Sequence, residues 1–174
     1  AVGVAGLVFK NVARFLPDAP LPQEAAAKLY DAYRATLASN LRRLDAAEQV
    51  MAALVARGLS PIVLKGAALV ETHYGDPGVR AMGDVDLLFS PDEAARADAV
   101  LESLGYRRRR TPGRERSEDE HYQRCFTRGR EVVEVHVALC DDARYPIDLD
   151  ALRGRARPFS FPVSYTHLPL PTNR

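Results

Sequence analysis

Cysteine is scarce: Cys125 and Cys140 are the only two in 174 residues. Two such residues make no disulfide framework, and with no Cys or His partner at ligand spacing they make no zinc site. A reducing, cytoplasmic setting is therefore expected, with no disulfide-bonded partner. No apolar run approaches the ~18 residues of a transmembrane span. No charged-then-apolar signal opens the chain, so no membrane partner is expected. Excess charge is lacking as well: 24 basic residues face 23 acidic ones, a net charge of +1. That balance removes any global bias toward nucleic acid or acidic membranes. The spaced glycines and Lys-Ser/Thr of a P-loop are also missing. What remains is an ordinary globular composition. The 47% of hydrophobic residues is enough for the core of one domain, or of one domain with a helical extension.

Both ends read as incomplete. The chain begins at Ala1 without Met, already inside the apolar run Ala1 to Phe9. The stretch from Val163 to Arg174 resembles the translation of a transposase adapter found at the ends of metagenomic gene fragments. It is set aside as a fusion scar would be, and His167 is not counted as a ligand. The expected native protein is longer. The organisation read from the sequence is an N-terminal helical segment over 1–58, a core over 59–157, and a truncated end with a non-native tail over 158–174.

Within the first segment, Leu7 to Phe15 reads as a short amphipathic helix stopped by Pro17 and Pro20. Gln23 to Arg57 is rich in Ala, Leu, Glu and Arg, with Leu29, Tyr33, Leu37, Leu41 and Leu44 at helical spacing. It predicts one long helix, or two joined near Ala38-Ser39-Asn40, ended by Gly58. Ser60 to Lys65 fits a buried strand; Gly66 follows, and Ala67 to Tyr74 is helical in composition. A strand, a glycine and a helix N-terminus form an arrangement friendly to phosphate, although a plain strand-to-helix turn has the same pattern. Asp76-Pro77-Gly78 is a turn in the loop that carries Arg80.

The centre of the chain is Gly83-Asp84-Val85-Asp86-Leu87-Leu88-Phe89. In a strand, Asp84 and Asp86 share one face while Val85 and Leu87 take the other. Two adjacent anions repel, and a divalent cation such as Mg²⁺ or Mn²⁺ relieves that repulsion through hard oxygen ligands. A solvated turn before a buried strand is the alternative. Ser90-Pro91-Asp92-Glu93 then starts a helix that ends at Gly105. Arg107 to Arg110 invites a polyanion, but Glu115, Glu118, Asp119 and Glu120 follow, as in a solvated hairpin of mixed charge. Two strands, His121 to Thr127 and Glu131 to Leu139, flank a turn at Arg128-Gly129-Arg130. On the second strand Glu134 and His136 share a face, either solvated or directed at the two aspartates. Asp148 to Arg153 starts a further helix.

Leu64-Lys65-Gly66-Ala67-Ala68-Leu69, Tyr74, Arg80 and Gly83-Asp84-Val85-Asp86-Leu87-Leu88 resemble the core of the uncharacterised nucleotidyltransferase family of the DNA polymerase beta-like superfamily. Leu104-Gly105-Tyr106 and Glu134-Val135-His136 match its later landmarks. The resemblance runs from about Ala26 to Arg157. It implies an α+β fold, a mixed sheet flanked by helices with an N-terminal helical segment and the acidic cluster at one edge of the sheet. It implies that Asp84, Asp86 and Glu134 are the catalytic metal ligands for Mg²⁺ or Mn²⁺, with Glu134 helping to deprotonate the attacking hydroxyl. Gly66 marks the turn that contacts the nucleoside triphosphate substrate. Ala67 stands where many relatives have a serine touching the phosphates, which removes one hydroxyl donor and leaves the backbone amides. The interval from Gly66 to Asp84 is longer than in minimal members, consistent with an inserted loop at 75–78.

From the residues themselves, Lys65 and Arg80 are placed to neutralise phosphate, and His136 to orient a carboxylate or touch the acceptor. Each also has a plain structural reading: a strand-end lysine, an Arg80–Asp76 pair, a histidine packed in the sheet. The expected activity is transfer of a nucleoside monophosphate from an NTP to a hydroxyl of a protein, a small molecule or an RNA end, with a toxin or modifying enzyme of a defence or peptide-biosynthesis locus as the same chemistry in another role. The competing expectation is an inactive nucleotide- or partner-binding module of the same fold.

Overall fold

The computed structural model describes residues 3–18, 20–109, 122–140, 145, 147–158 and 161. Arg110, the polar segment with Glu115, Glu118, Asp119 and Glu120, His121, and the tail with His167 lie outside the described residues.

The first helix, α1 (Ala5–Phe15), packs on α2 (Gln23–Val55) through Phe9, whose ring lies 5.1 Å from that of Tyr33. The strong helix formers of α2 sustain one uninterrupted helix of 33 residues. Asn40 causes no break, because its side chain is used elsewhere. Leu44, Ala47, Val50 and Leu54 follow helical spacing and enter the core. Gly58, at φ 68°, closes the helix in the left-handed conformation that glycine takes without a Cβ clash.

The strands are β1 (Ile62–Leu64), β2 (Val85–Leu88), β3 (Arg107–Arg108), β4 (Gln123–Arg128) and β5 (Glu131–His136). Between β1 and β2 lie α3 (Lys65–Leu69) and the π-helical turn Val70–Tyr74. Between β2 and β3 lies α4 (Pro91–Ser103), and α5 (Leu149–Gly154) follows the sheet. Ser90 and Pro91 start α4 as the sequence predicts, and Glu93 completes a capping box with Ser90. The sheet order is β1-β2-β5-β4-β3, with β2 and β5 parallel and the other pairs antiparallel.

The architecture is the expected α+β one, a mixed five-stranded sheet with helices and an N-terminal helical segment. Its strand order corrects one expectation: Asp86 and Glu134 lie on interior strands, not at an edge. The short β1 pairs with the outer side of β2 and covers it. One sheet face presents Val63, Val85, Leu87, Phe126, Val133 and Val135 to the apolar residues of α2 and α4 in a single cluster. Burying each such side chain contributes roughly 1.5–3 kcal/mol. The alternation that commits these residues to the core commits Asp86, Glu134 and His136 to the opposite face.

Candidate active site

The register of the parallel pair sets the centre of the site. Asp86 is opposite Glu134, and Leu88 is opposite His136. On the far side of β5, Cys125 is opposite Glu134, and Leu64 faces Asp86 from β1. Directly paired residues share a face, so one row across the sheet reads Leu64, Asp86, Glu134, Cys125. Asp86 is almost completely buried, at 2% exposure, and so is His136 at 3%. His136 Nε2 lies 2.9 Å from Asp86 Oδ1 and 3.4 Å from Glu134 Oε2. Facing two carboxylates, Nε2 carries the proton and donates.

Lys65 closes the other side. Its Nζ donates to Asp86 Oδ1 at 2.6 Å, so ammonium and imidazole converge on the same oxygen. Lys65 is also the one described non-glycine residue with positive φ, 46°. A lysine held there is strained by about 1–3 kcal/mol. The left-handed turn at the end of β1 brings the side chain back over β2.

Gly66 follows, and a Cβ there would stand 3.0 Å from both Arg80 Nη1 and Met82 Cγ. The missing side chain is what lets Arg80 lie against the β1–α3 turn. Arg80 therefore adjoins Gly66, the neighbour of Lys65. Asp76, its alternative partner, instead pairs with Lys10 at 2.6 Å and receives the Tyr33 hydroxyl.

The loop that carries Arg80 is held by a residue the sequence did not single out. Asn40, 1% exposed, donates through Nδ2 to the carbonyls of Pro77 at 2.6 Å and Arg80 at 2.7 Å. Its Oδ1 accepts from the Met82 amide at 3.2 Å. One turn further along α2, Arg43 Nε donates to the Gly83 carbonyl at 3.3 Å. Helix α2 thus fixes the backbone from Pro77 to Gly83, immediately before Asp84. The available signal was an asparagine amid strong helix formers, a residue that favours helix interiors only when its amide has work elsewhere.

The charges are unevenly compensated. Burial pushes the Asp86 carboxyl up, but the hydrogen bonds from His136 and Lys65 outweigh it and hold the group below its usual range. Burial pushes the His136 imidazole down, and its bonds to Asp86 and Glu134 outweigh that and raise it. Asp84 is different: burial raises it, and the charges of Asp86 and Glu134 raise it further.

A carboxyl whose folded-state pKa is raised opposes folding once it ionises. Asp84→Asn should therefore raise stability at pH 7 by on the order of 1 kcal/mol, or roughly 2–4 °C in Tm. The gain should shrink as pH falls and vanish below the ordinary value of 3.8. Thermal melts in EDTA from pH 3 to 8 check this; a variant less stable than the parent at pH 7 contradicts it.

Asp86, Glu134 and His136 place one ligand atom each within 4.8 Å of one another. Asp84 stands outside that group of three but within electrostatic reach of Asp86 and Glu134. Carboxylate oxygens backed by an imidazole fit a hard divalent cation, which would also relieve the repulsion felt by Asp84. Ala67 is buried in α3 directly after Gly66. Among the described residues no helix is long and apolar enough to cross a membrane, and both cysteines are free.

The profile of a family described as "uncharacterised nucleotidyltransferase" matches residues 1–174. No curated protein matches. Among solved structures, the chain is similar to a crystal structure of ANT(2'')-Ia in complex with adenylyl-2''-tobramycin. The identity is 20% over 55% of this chain and 49% of that one, with a TM-score of 0.43. It is also similar to a solution structure of the antibiotic-resistance factor ANT(2'')-Ia, at 20% identity over 59% and 51% of the two chains, TM-score 0.44. The matched region spans about half the length of each of these structures.

Proposed function

Because the chain belongs to the uncharacterised nucleotidyltransferase family, and is a transferase by that membership, we propose that it moves a nucleoside monophosphate from an NTP to a hydroxyl acceptor with Mg²⁺ or Mn²⁺. The observation that carries this reading is the parallel register that sets Asp86 against Glu134 on one face. The two carboxylates come from strands separated in sequence by a helix and a hairpin, yet they meet beside Asp84. An inactive scaffold gains nothing from holding three anions together.

In this reading Asp84, Asp86 and Glu134 hold the divalent cations. When bound, these supply charge neutralisation to the triphosphate and to the attacking and leaving oxygens. The chain's own residues do the rest. Lys65 and Arg80, flanking Gly66, take the phosphate oxygens, Arg80 through its planar fork. The amides at Gly66 and Ala67 add donors that require no side chain. His136 keeps the Asp86 carboxylate oriented and ionised. The acceptor oxygen attacks the α-phosphorus, the bond to the β-phosphate bridging oxygen breaks, and pyrophosphate leaves. Glu134 receives the hydroxyl proton in this reading, which its greater exposure supports, 18% against 2% for Asp86. The N-terminal helices over 1–58 serve this core over 59–157 by fixing the Arg80 loop.

Incubating the protein with each labelled NTP and Mg²⁺ tests the reading. Release of pyrophosphate or transfer of label is expected with at least one NTP. No release or transfer with any NTP, across water and candidate hydroxyl acceptors, would reject it.

A further inference from the structure

Strand β3 extends the same sheet face beyond Cys125. Arg107 is opposite Thr127 and Arg108 opposite Phe126, and the Arg109 amide donates to the Cys125 carbonyl at 2.8 Å. Paired residues share a face, so Arg107 and Arg109 project on the side of Cys125 and Glu134, while Arg108 projects on the side of the Phe126 core. The charge neighbourhoods agree with this division. Arg108 is within electrostatic reach of Asp98 on α4, where Arg124 also pairs at 3.2 Å. Arg109 is within electrostatic reach of the Cys125 thiol.

The arginine run, which reads as one basic block in the sequence, is therefore divided by the sheet. Arg108 lies on the helix side, within electrostatic reach of Asp98, and forms no ion pair among the described residues. Arg107 and Arg109 are exposed on the carboxylate side and form no ion pair among the described residues. They are about 7 Å apart along the strand, and Arg109 is about 10 Å, two strand spacings, from Glu134. The triphosphate site at Lys65, Gly66 and Arg80 is on the opposite side of Asp86, next to β1. Two cation clusters thus flank the carboxylates, one on the β1 side and one on the β3 side. A site that joins two substrates at the carboxylates needs one approach for each.

We infer that the acceptor approaches over β4 and β3 and carries phosphate, held by Arg107 and Arg109, beside the hydroxyl it presents at Glu134. This rests on the nucleotidyl-transfer reading and names the acceptor's chemistry within it. Guanidinium forks match phosphate oxygens bidentately. Two of them at i and i+2 suit consecutive phosphates of a nucleic-acid end, and one suffices for a phosphorylated small molecule. The hydroxyl attacks as described above, and the bound phosphate is unchanged in the step.

The test measures binding, so that it stands apart from turnover. The full chain is titrated with a fluorescent single-stranded oligonucleotide bearing a free 3′-hydroxyl, with ribose 5-phosphate as competitor, over a salt series. A fluorescent NTP analogue with Mg²⁺ is titrated in parallel. In Arg107→Ala/Arg109→Ala, anion binding should weaken about tenfold or more at low salt, and the salt slope for the oligonucleotide should flatten by about 1.4, two contacts at ~0.7 each. Arg107→Lys/Arg109→Lys should recover most of the slope, and Arg108→Ala should bind the oligonucleotide like the parent.

Binding of the oligonucleotide alone assigns a nucleic-acid end; effective competition by ribose 5-phosphate assigns a small phosphorylated acceptor. The inference is overturned if neither anion binds, if the double alanine variant binds as tightly as the parent, or if Arg108→Ala weakens binding equally. Absence of Mg²⁺–NTP binding in the parent, with the arginine dependence intact, would instead overturn the transfer reading and leave an anion site on β3.

Discussion

Asp86→Asn should lower nucleotidyl transfer by ~10³-fold or more while leaving the protein folded. The substitution keeps the shape of a side chain that is 2% exposed and removes only its charge. Three consequences follow from that one change. In the proposed reading, the carboxylate facing Glu134 no longer offers a hard anionic oxygen to a cation. Lys65 loses the ion pair at 2.6 Å that gives its strained backbone a purpose. His136 loses its largest support for the protonated state, so its pKa should fall. The stability change should be modest, about 1–3 kcal/mol, because the amide still accepts one hydrogen bond and Lys65 is half exposed. Single-turnover rates together with circular dichroism separate the chemical loss from unfolding. A folded D86N variant retaining a tenth of the parent rate would contradict the assigned role.

Asn40→Leu should destabilise the protein by about 3–5 kcal/mol, roughly 10 °C in Tm. Leucine matches the volume but leaves the Pro77 and Arg80 carbonyls and the Met82 amide without their partner. Each orphaned buried group costs about 1–3 kcal/mol, partly relieved where water reaches Arg80. The same substitution frees the loop that sets Arg80 against Gly66. At a temperature where the variant is folded, KM for the NTP should rise more than kcat falls. A purely structural role would lower Tm and leave KM unchanged, so steady-state kinetics beside thermal melts decide between the two. Full retention of both Tm and KM would show that the loop holds itself.

The elements with strong local chemistry were legible in the sequence. Ser90 and Pro91 give α4 its start, because a helix N-cap is a local motif. Alternation placed Glu134 with His136, which meet at 3.4 Å, since the strand period of two needs no tertiary information; Asp84 precedes β2 and stands outside that group. Register is different. That Asp86 faces Glu134, and that β5 lies between β2 and β4, depends on long-range pairing that alternation does not encode. The expectation of an acidic cluster at the sheet edge failed for this reason. Asn40 was passed over because its partners lie 37 to 42 residues away. The left-handed Lys65 was hidden because a lysine carries no signal for positive φ. The division of the arginine run emerged only once β3 was paired with β4.

The most direct measurement is Mn²⁺ binding, followed by paramagnetic resonance of the free ion, for the parent, Asp86→Asn and Glu134→Gln with and without NTP. The expected result is Mn²⁺ binding in the parent, tightened by NTP, and lost in both variants although each remains folded. A parent that binds no Mn²⁺ even with NTP, or variants that bind it as tightly as the parent, would contradict a metal site built from the facing carboxylates of β2 and β5.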